Sequence, residues 1–276
     1  MKTIIGILLV ATLLLVPSRG FSRDPFILGI APHTSARVIL EMYQPLRLFL
    51  EKSLNMPVEV VTAPDFNNFA RRALAGEYDL AVTTGHQARL LQSDAGYLPL
   101  LTYKAEFKSV AIVARKGKIH GPKDLSGKSA LGLSPSSLVT LWGLHWLGDN
   151  GLGALPVRYV SASDSVAQLV AAGDAAVGFT SLANFQKLTP ELQSQLRILA
   201  ESPAMAGRVY MLNSRRAPRE KEIDAALWAF AETPEAKHYF ESNKLGGYRK
   251  LKPQELKAMD RYAAETRKAL LTRGDK

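Results

Sequence analysis

The chain contains no cysteine. That absence excludes a disulfide framework, a thiolate metal site, a cysteine nucleophile and a lipid-modified N-terminal cysteine. Histidine is also scarce: the five, at positions 33, 86, 120, 145 and 238, show no His-x-x-x-His or His-x-x-Glu-His spacing. A helical zinc motif is therefore not encoded, and no glycine-rich phosphate loop of the P-loop or dinucleotide type occurs. Beyond the first twenty or so residues no stretch approaches the roughly 18 uninterrupted apolar residues of a spanning helix. Internal repeats and low-complexity tracts are missing too. Charge of one sign is in excess, with 35 Lys and Arg against 25 Asp and Glu and a net charge of +10, but it forms no basic block. Interleaved charges argue against a nucleic-acid surface and leave a smaller anion as a fitting partner.

What is present is ordinary globular composition in 276 residues, 47% of them apolar, enough for two modest domains. Lys2 precedes an apolar run from Ile4 to Val16, followed by Pro17-Ser-Arg-Gly20. This has the pattern of a secretory signal peptide, expected over residues 1–22, with small-residue cleavage pairs at Ser18 and Gly20 or at Gly20 and Ser22. Such a run reaches about 20 Å as a helix, short of the roughly 30 Å hydrocarbon core, which favours cleavage over an anchor. The expected location is the bacterial periplasm, as a soluble protein and not a lipoprotein.

Strand and helix patterns then alternate. Phe26 to Ile30 is an apolar run halted at Pro32; Thr34 or Ser35 can cap a helix in which Val38, Met42, Leu46, Phe49 and Leu50 recur at helical spacing. Val58 to Val61 and Asp79 to Val82 read as strands around a helix capped by Asp65, with a further helix at Gln87 to Leu91, an extended stretch at Leu98 to Leu101 and a strand at Ser109 to Ala114. After Arg115-Lys-Gly117 the alternation restarts: strands Ser129 to Leu133, Val157 to Val160 and Ala175 to Phe179, with helices Ser136 to Asn150, Ser165 to Ala172 and Ser181 to Lys187. Arg197 to Leu199 and Arg208 to Leu212 are strand-like, and Glu220 to Glu232 and Pro253 to Leu271 helical. This order predicts an α/β protein with parallel, doubly wound sheets in two lobes. The expected division is 23–114 with 205–276 in lobe 1 and 115–204 in lobe 2, with the ligand cleft between them.

Five segments in order, Gly29-Ile-Ala-Pro32, Tyr43-Gln-Pro-Leu46, Val60-Val-Thr-Ala-Pro-Asp65, Ala75-Gly-Glu-Tyr-Asp-Leu80 and Lys123-Asp-Leu-Ser-Gly-Lys128, resemble the phosphonate/phosphite-binding solute receptors of ABC importers. These are type II periplasmic binding proteins, and the resemblance spans about Phe26 to Gly247. It implies two lobes joined by two crossover strands that close on a small anion such as a phosphonate, phosphite or phosphate, then present it to an inner-membrane permease. No cofactor, no metal and no catalysis are implied.

A bound anion needs many neutral donors and helix N-termini. The first such place is the turn carrying Thr34, Ser35 and Arg37, and the second is Thr83-Thr84-Gly85-His86, at the carboxyl end of a strand where open α/β sheets bind ligands. In the second lobe the resemblance points to Ser134, Ser136 and Ser137, then to Ser163 and Thr180. Tyr43 and Tyr103 match aromatic positions near the family's cleft, and Lys104 is a second basic candidate beside Arg37. Three departures stand out. Leu138-Val139 replace a Ser-Gly, Ser161-Ala-Ser-Asp164 lacks the family's histidine, and Thr180-Ser181 replace an acidic position that helps hold a ligand amino group. They argue against an aminoalkylphosphonate and predict a ligand with fewer charged complements or an anion held mainly by hydroxyls. His33 and His86 fall at cleft turns, but neither has an aspartate beside it to orient it as a general base. The alternative function is a periplasmic sensor of the same fold that docks on a membrane histidine kinase.

Overall fold

The computed structural model describes residues 24–160 and 163–272. The proposed signal peptide lies outside the described residues.

The first lobe begins with β1 (Phe26–Ile30), α1 (Ala36–Leu54), β2 (Val58–Val61), α2 (Phe66–Leu74), β3 (Leu80–Thr84), α3 (Gly85–Ala95) and β4 (Leu98–Tyr103). The capping residues act as the sequence predicts. Ser35 Oγ accepts the Val38 amide at the start of α1, and Asp65 accepts the Asn68 amide at 2.8 Å at the start of α2. Asn55 ends α1 in the left-handed conformation at φ 48°. The apolar stripe Ile39, Tyr43, Leu46, Leu50 and Leu54 is buried against the sheet.

The second lobe comprises β5 (Ser109–Ala114), β6 (Ala130–Gly132), α4 (Leu138–Asp149), β7 (Val157–Tyr159), α5 (Ser163–Ala172), β8 (Val177–Ser181), α6 (Leu182–Gln186), α7 (Pro190–Ser194) and β9 (Leu196–Glu201). The chain returns through β10 (Arg208–Leu212), α8 (Glu220–Ala231), α9 (Pro234–Ser242), β11 (Tyr248–Arg249) and α10 (Asp260–Thr272).

Two mixed sheets result. One runs β11-β4-β10-β3-β1-β2 and the other β7-β6-β8-β5-β9. Each has three parallel strands extended by antiparallel ones, so the sheets are parallel only around β1 and β6. Ser109–Ala114 pairs with β8 and β9 and not with the first sheet. The segment 104–108 therefore connects the two sheets. The return lies at 202–207, and the two crossing segments pair with each other at Phe107 and Met205.

Several elements differ from the sequence reading. The last helix starts later than Pro253: Gln254 takes a left-handed backbone at φ 64° that a helix forbids, and a 3-10 turn at Lys257–Met259 leads into α10. α7, α9 and β11 were not visible as periodic patterns: α7 is a single turn, α9 is capped by Thr233 with Pro at its first position, and β11 spans only two residues. Among the described residues no helix is long and apolar enough to cross a membrane.

Candidate functional site

β1 and β3 run parallel, so their carboxyl ends open at the same edge of the first sheet. β10 runs antiparallel to β3, and its first residue, Arg208, is in register with Thr84. Topology thus delivers a guanidinium to the edge where the βα turns emerge. Thr102 Oγ1 donates to the Arg208 carbonyl at 2.7 Å and fixes this end of the strand. Arg208 is half-buried.

Among the described residues, the partners of that guanidinium are neutral. His33 Nδ1 lies 2.9 Å from the Ala31 carbonyl, which can only accept, so this nitrogen carries the proton. Nε2 is left with its lone pair and accepts from Arg208 Nη1 at 3.1 Å. Burial, then the Arg208 charge, hold the imidazole down to about 3, which keeps it neutral. The guanidinium also stands 5.4 Å from the centroid of the Tyr103 ring, a cation–π distance, and hydrogen-bonds the Tyr43 hydroxyl. Burial opposes the charge on Arg208, while the tyrosines around it pull its pKa upward, and it stays cationic.

Behind it lies a chain of five tyrosines. Tyr103 meets Tyr210 at 2.9 Å and Tyr239 at 2.8 Å, Tyr210 meets Tyr248 at 2.9 Å, and Tyr239 reaches Tyr43 at 3.5 Å, all hydroxyl to hydroxyl. Burial raises the pKa of Tyr103, Tyr210, Tyr239 and Tyr248, so the network is neutral at pH 7. The rings pack edge-to-face or tilted, which holds the hydroxyl chain in one arrangement. Tyr43 and Tyr103 are buried in the core, with Arg208 over the Tyr103 ring.

The 83–86 turn meets the second lobe directly. Ser136 offers a carbonyl 3.1 Å from His86 Nε2, so this nitrogen donates, and Nδ1 accepts from Thr84 Oγ1 at 3.1 Å. Burial lowers the His86 pKa to about 4, and it is neutral in this bridge. Thr83 is buried and donates to Gln87 Oε1 at 2.7 Å. At Gly85 a Cβ would overlap the Ala206 carbonyl oxygen, so only glycine lets the returning strand pass.

Ser134, Ser136 and Ser137 do come together at the start of α4. Ser137 is its N-cap; its Oγ donates to the Ser134 carbonyl at 3.0 Å and lies 2.9 Å from Thr140 Oγ1. Ser136 Oγ has only Ser134 Oγ near it, at 3.4 Å. Next to them Leu138, 2% exposed, leaves its own lobe and packs in a first-lobe cluster with Phe69, Tyr78, Ala88 and Ala206. A second seam joins the lobes farther out: the His145 ring on α4 stacks on Tyr262 of α10 at 4.9 Å, and its Nε2 is 2.5 Å from Glu265 Oε1.

Other sequence candidates lie elsewhere. Thr34 and Ser35 are exposed, and Arg37 is committed to an exposed pair with Glu41 at 2.8 Å. Lys104 lines a surface groove with Trp228, Phe240 and Tyr248. Thr180 Oγ1 is buried without a partner. Ser161 and the Ser163 side chain lie outside the described residues.

Arg208 and Lys187 were not singled out in the sequence reading. Arg208 looked like the charged end of a strand and Lys187 like a helix-terminal cation. No local pattern marks Arg208, because only the return of the chain to the first sheet brings it beside His33. Lys187 follows α6 in the second lobe; burial, then the charges of Arg208 and Lys244, lower its pKa, and its own charge contributes to the lowering at His33.

A family model described as "ABC transporter, phosphonate, periplasmic substrate-binding protein" matches residues 28–256. No curated protein matches the sequence. Among solved structures, XAC2383 from Xanthomonas citri, bound to ATP, superposes with a TM-score of 0.76 at 20% identity, covering 89% of this chain and 99% of that one. PhnD1 from Prochlorococcus marinus, in complex with methylphosphonate, gives 0.75 at 16% identity over 88% and 98%. A histidine kinase sensor domain with similarity to periplasmic binding proteins gives 0.54 at 14% identity over 82% and 98%. At these identities the structures speak to the two-lobed fold, whereas the family model covers most of the chain, and this protein belongs to the phosphonate periplasmic substrate-binding proteins of ABC transporters, which are receptors and not enzymes.

Proposed function

We propose that the protein captures a small oxyanion, a phosphonate, phosphite or phosphate-like species, between its lobes and presents it to an inner-membrane ABC permease. One observation carries this reading. Arg208, half-buried at the carboxyl edge of the parallel strands, has His33, Tyr43 and Tyr103 as partners and no ion pair with a carboxylate among the described residues. A cation removed from water without a counter-ion costs free energy, and a bound anion supplies the missing charge. The donors at hand are the guanidinium, the Ser136 hydroxyl and the amides that open α4. The ligand-binding roles of Thr83, Thr84, Ser134, Ser136, Ser137 and Thr180 belong to this proposal, as do export through a cleaved signal peptide and the division into lobes.

The test is thermal unfolding of the mature chain against phosphate, phosphite, methylphosphonate, sulfate, methanesulfonate and acetate. A ligand at 100 times its dissociation constant adds about 2.7 kcal/mol, or about 5 to 10 °C for a chain of this size. A selective shift with a phosphorus oxyanion supports the proposal; no shift with any of the six refutes it.

A further inference from the structure

The edge of the second sheet away from the cleft gathers cations. β5 runs antiparallel to β8 and β9, and β6 parallel to β8, so the end of β5 and the starts of β6, β8 and β9 lie together, opposite the turns that carry Ser136 and Ser181. Onto this edge come Arg115, Lys116 and Lys118 after β5, Lys123 and Lys128 before β6, and Arg197 at the start of β9. Arg115 Nε donates to the Ser194 carbonyl at 2.7 Å and Arg197 Nη2 to the Ile119 carbonyl, which ties β9 to the loop. Arg158 reaches the same edge from β7, where its Nη2 donates to the Asp174 carbonyl at 2.7 Å. Scattered between positions 115 and 197, these cations share one face only in the fold.

Among the described residues none of them forms an ion pair, whereas in the first lobe Arg47, Arg72, Arg89, Arg219, Arg249 and Arg267 each meet a carboxylate at 2.5 to 2.7 Å. The acidic groups at this edge are Asp124, Asp149, Asp174 and Glu191, and Asp124 is occupied in accepting the His120 and Gly121 amides at 2.7 and 2.9 Å. The face is thus net positive, and all of its cations except the half-buried Arg197 are exposed. It holds no apolar anchor: the exposed large apolar side chains Leu40, Leu48, Tyr159 and Leu271 lie elsewhere.

We infer that this face is a docking surface for an anionic phospholipid bilayer. Protein interfaces are depleted of lysine and centre on buried aromatic anchors, which this face lacks, whereas a layer of headgroup phosphates asks only for positive charge close to the surface. Lysine suits it, since its ammonium is a hydrated point charge on a flexible stem and needs no fixed partner geometry. Because the face is turned away from the 134–137 turn, a protein held in this way keeps its cleft edge uncovered.

The experiment is co-sedimentation of the mature chain with vesicles of phosphatidylglycerol and phosphatidylcholine in equal parts, and with vesicles of phosphatidylcholine alone. Binding is expected to the anionic vesicles only, and to weaken steadily with added salt. The quadruple variant Lys116→Gln, Lys118→Gln, Lys123→Gln, Lys128→Gln should lose about fivefold per lysine, well over tenfold in all. The same loss of charge at Lys221, Lys237, Lys250 and Lys252, exposed on the first lobe, should cost less than about threefold. All of these lysines are exposed, so both variants fold, which melting temperatures check. The pairs Lys116→Gln with Lys118→Gln and Lys123→Gln with Lys128→Gln should each give part of the loss. Equal losses in the two quadruple variants, or no binding of wild type to the anionic vesicles, overturn the inference. Tighter binding to polyglutamate than to the vesicles at the same salt overturns it too, and makes the face a site for an acidic protein. Each of these outcomes leaves the receptor reading untouched.

Discussion

Leu138→Ala isolates the energetics of closure. Leu138 belongs to α4 of the second lobe, yet its side chain is counted among first-lobe core residues such as Phe69, Tyr78 and Ala88. In a rigid core, Leu→Ala costs about 2 to 5 kcal/mol, part of it for the cavity left behind. Here the faces can separate, so no cavity need persist, and the cost is the transfer term for the lost branch, about 2 kcal/mol at about 0.8 kcal/mol per buried CH₂. Since about 1.4 kcal/mol is tenfold, the closed-to-open ratio of the ligand-free protein falls about thirtyfold. Apparent affinity drops by at most the same factor, because binding draws on the closed population. Two assays read this: small-angle scattering of the ligand-free variant, which should show a larger radius of gyration, and calorimetric titration with methylphosphonate. Denaturant unfolding should change little, since each lobe keeps its own core. An unchanged radius together with a loss of stability of several kcal/mol would refute the reasoning and make Leu138 an ordinary core residue.

Two further outcomes follow from the packing. Asp79, 1% exposed, accepts from the Ile27 amide, Arg215 and Arg216; burial pushes its pKa up, but Arg216, that amide and Arg215 outweigh it, and the net shift is downward. A carboxylate with a depressed folded pKa stabilises above its unfolded value, near 3.9, and loses that contribution as pH falls through the folded one. Asp79→Asn should therefore cost about 1.5 to 3 kcal/mol at pH 7 and flatten the stability loss below pH 4, as urea titrations at the two pH values would show. Gly143→Ala would place a Cβ into the Phe179 ring beneath α4 and should destabilise by about 1 to 3 kcal/mol, seen as a lower melting temperature with altered Trp142 emission.

How much of this was legible in the sequence depends on the range of the interaction. Caps and strands with strong local signals, Ser35, Asp65 and the runs at Phe26 and Ser109, form as their residues dictate. The serine turn at 134–137 and the 83–86 turn come together because each follows a strand end, a rule that acts within a few residues. Arg208 was invisible as a site residue because its position depends on pairing with Thr84, more than a hundred residues earlier. The tyrosine chain has the same origin: Tyr43, Tyr103, Tyr210, Tyr239 and Tyr248 sit on five separate elements and share no spacing.

The crossing segments are bonded to one another as well as to their own sheets. Met205 donates to the Phe107 carbonyl at 2.9 Å, Ser202 donates to the Ser109 carbonyl at 2.8 Å, and Ser109 donates to Ser202 Oγ at 2.9 Å. Two independent tethers would let one lobe swivel and slide on the other. A laced pair behaves as a flexure strip, stiff to torsion and shear and compliant along one bending direction. The separation of His145 from Glu265, the contact that joins α4 to α10, then tracks the bending of that strip.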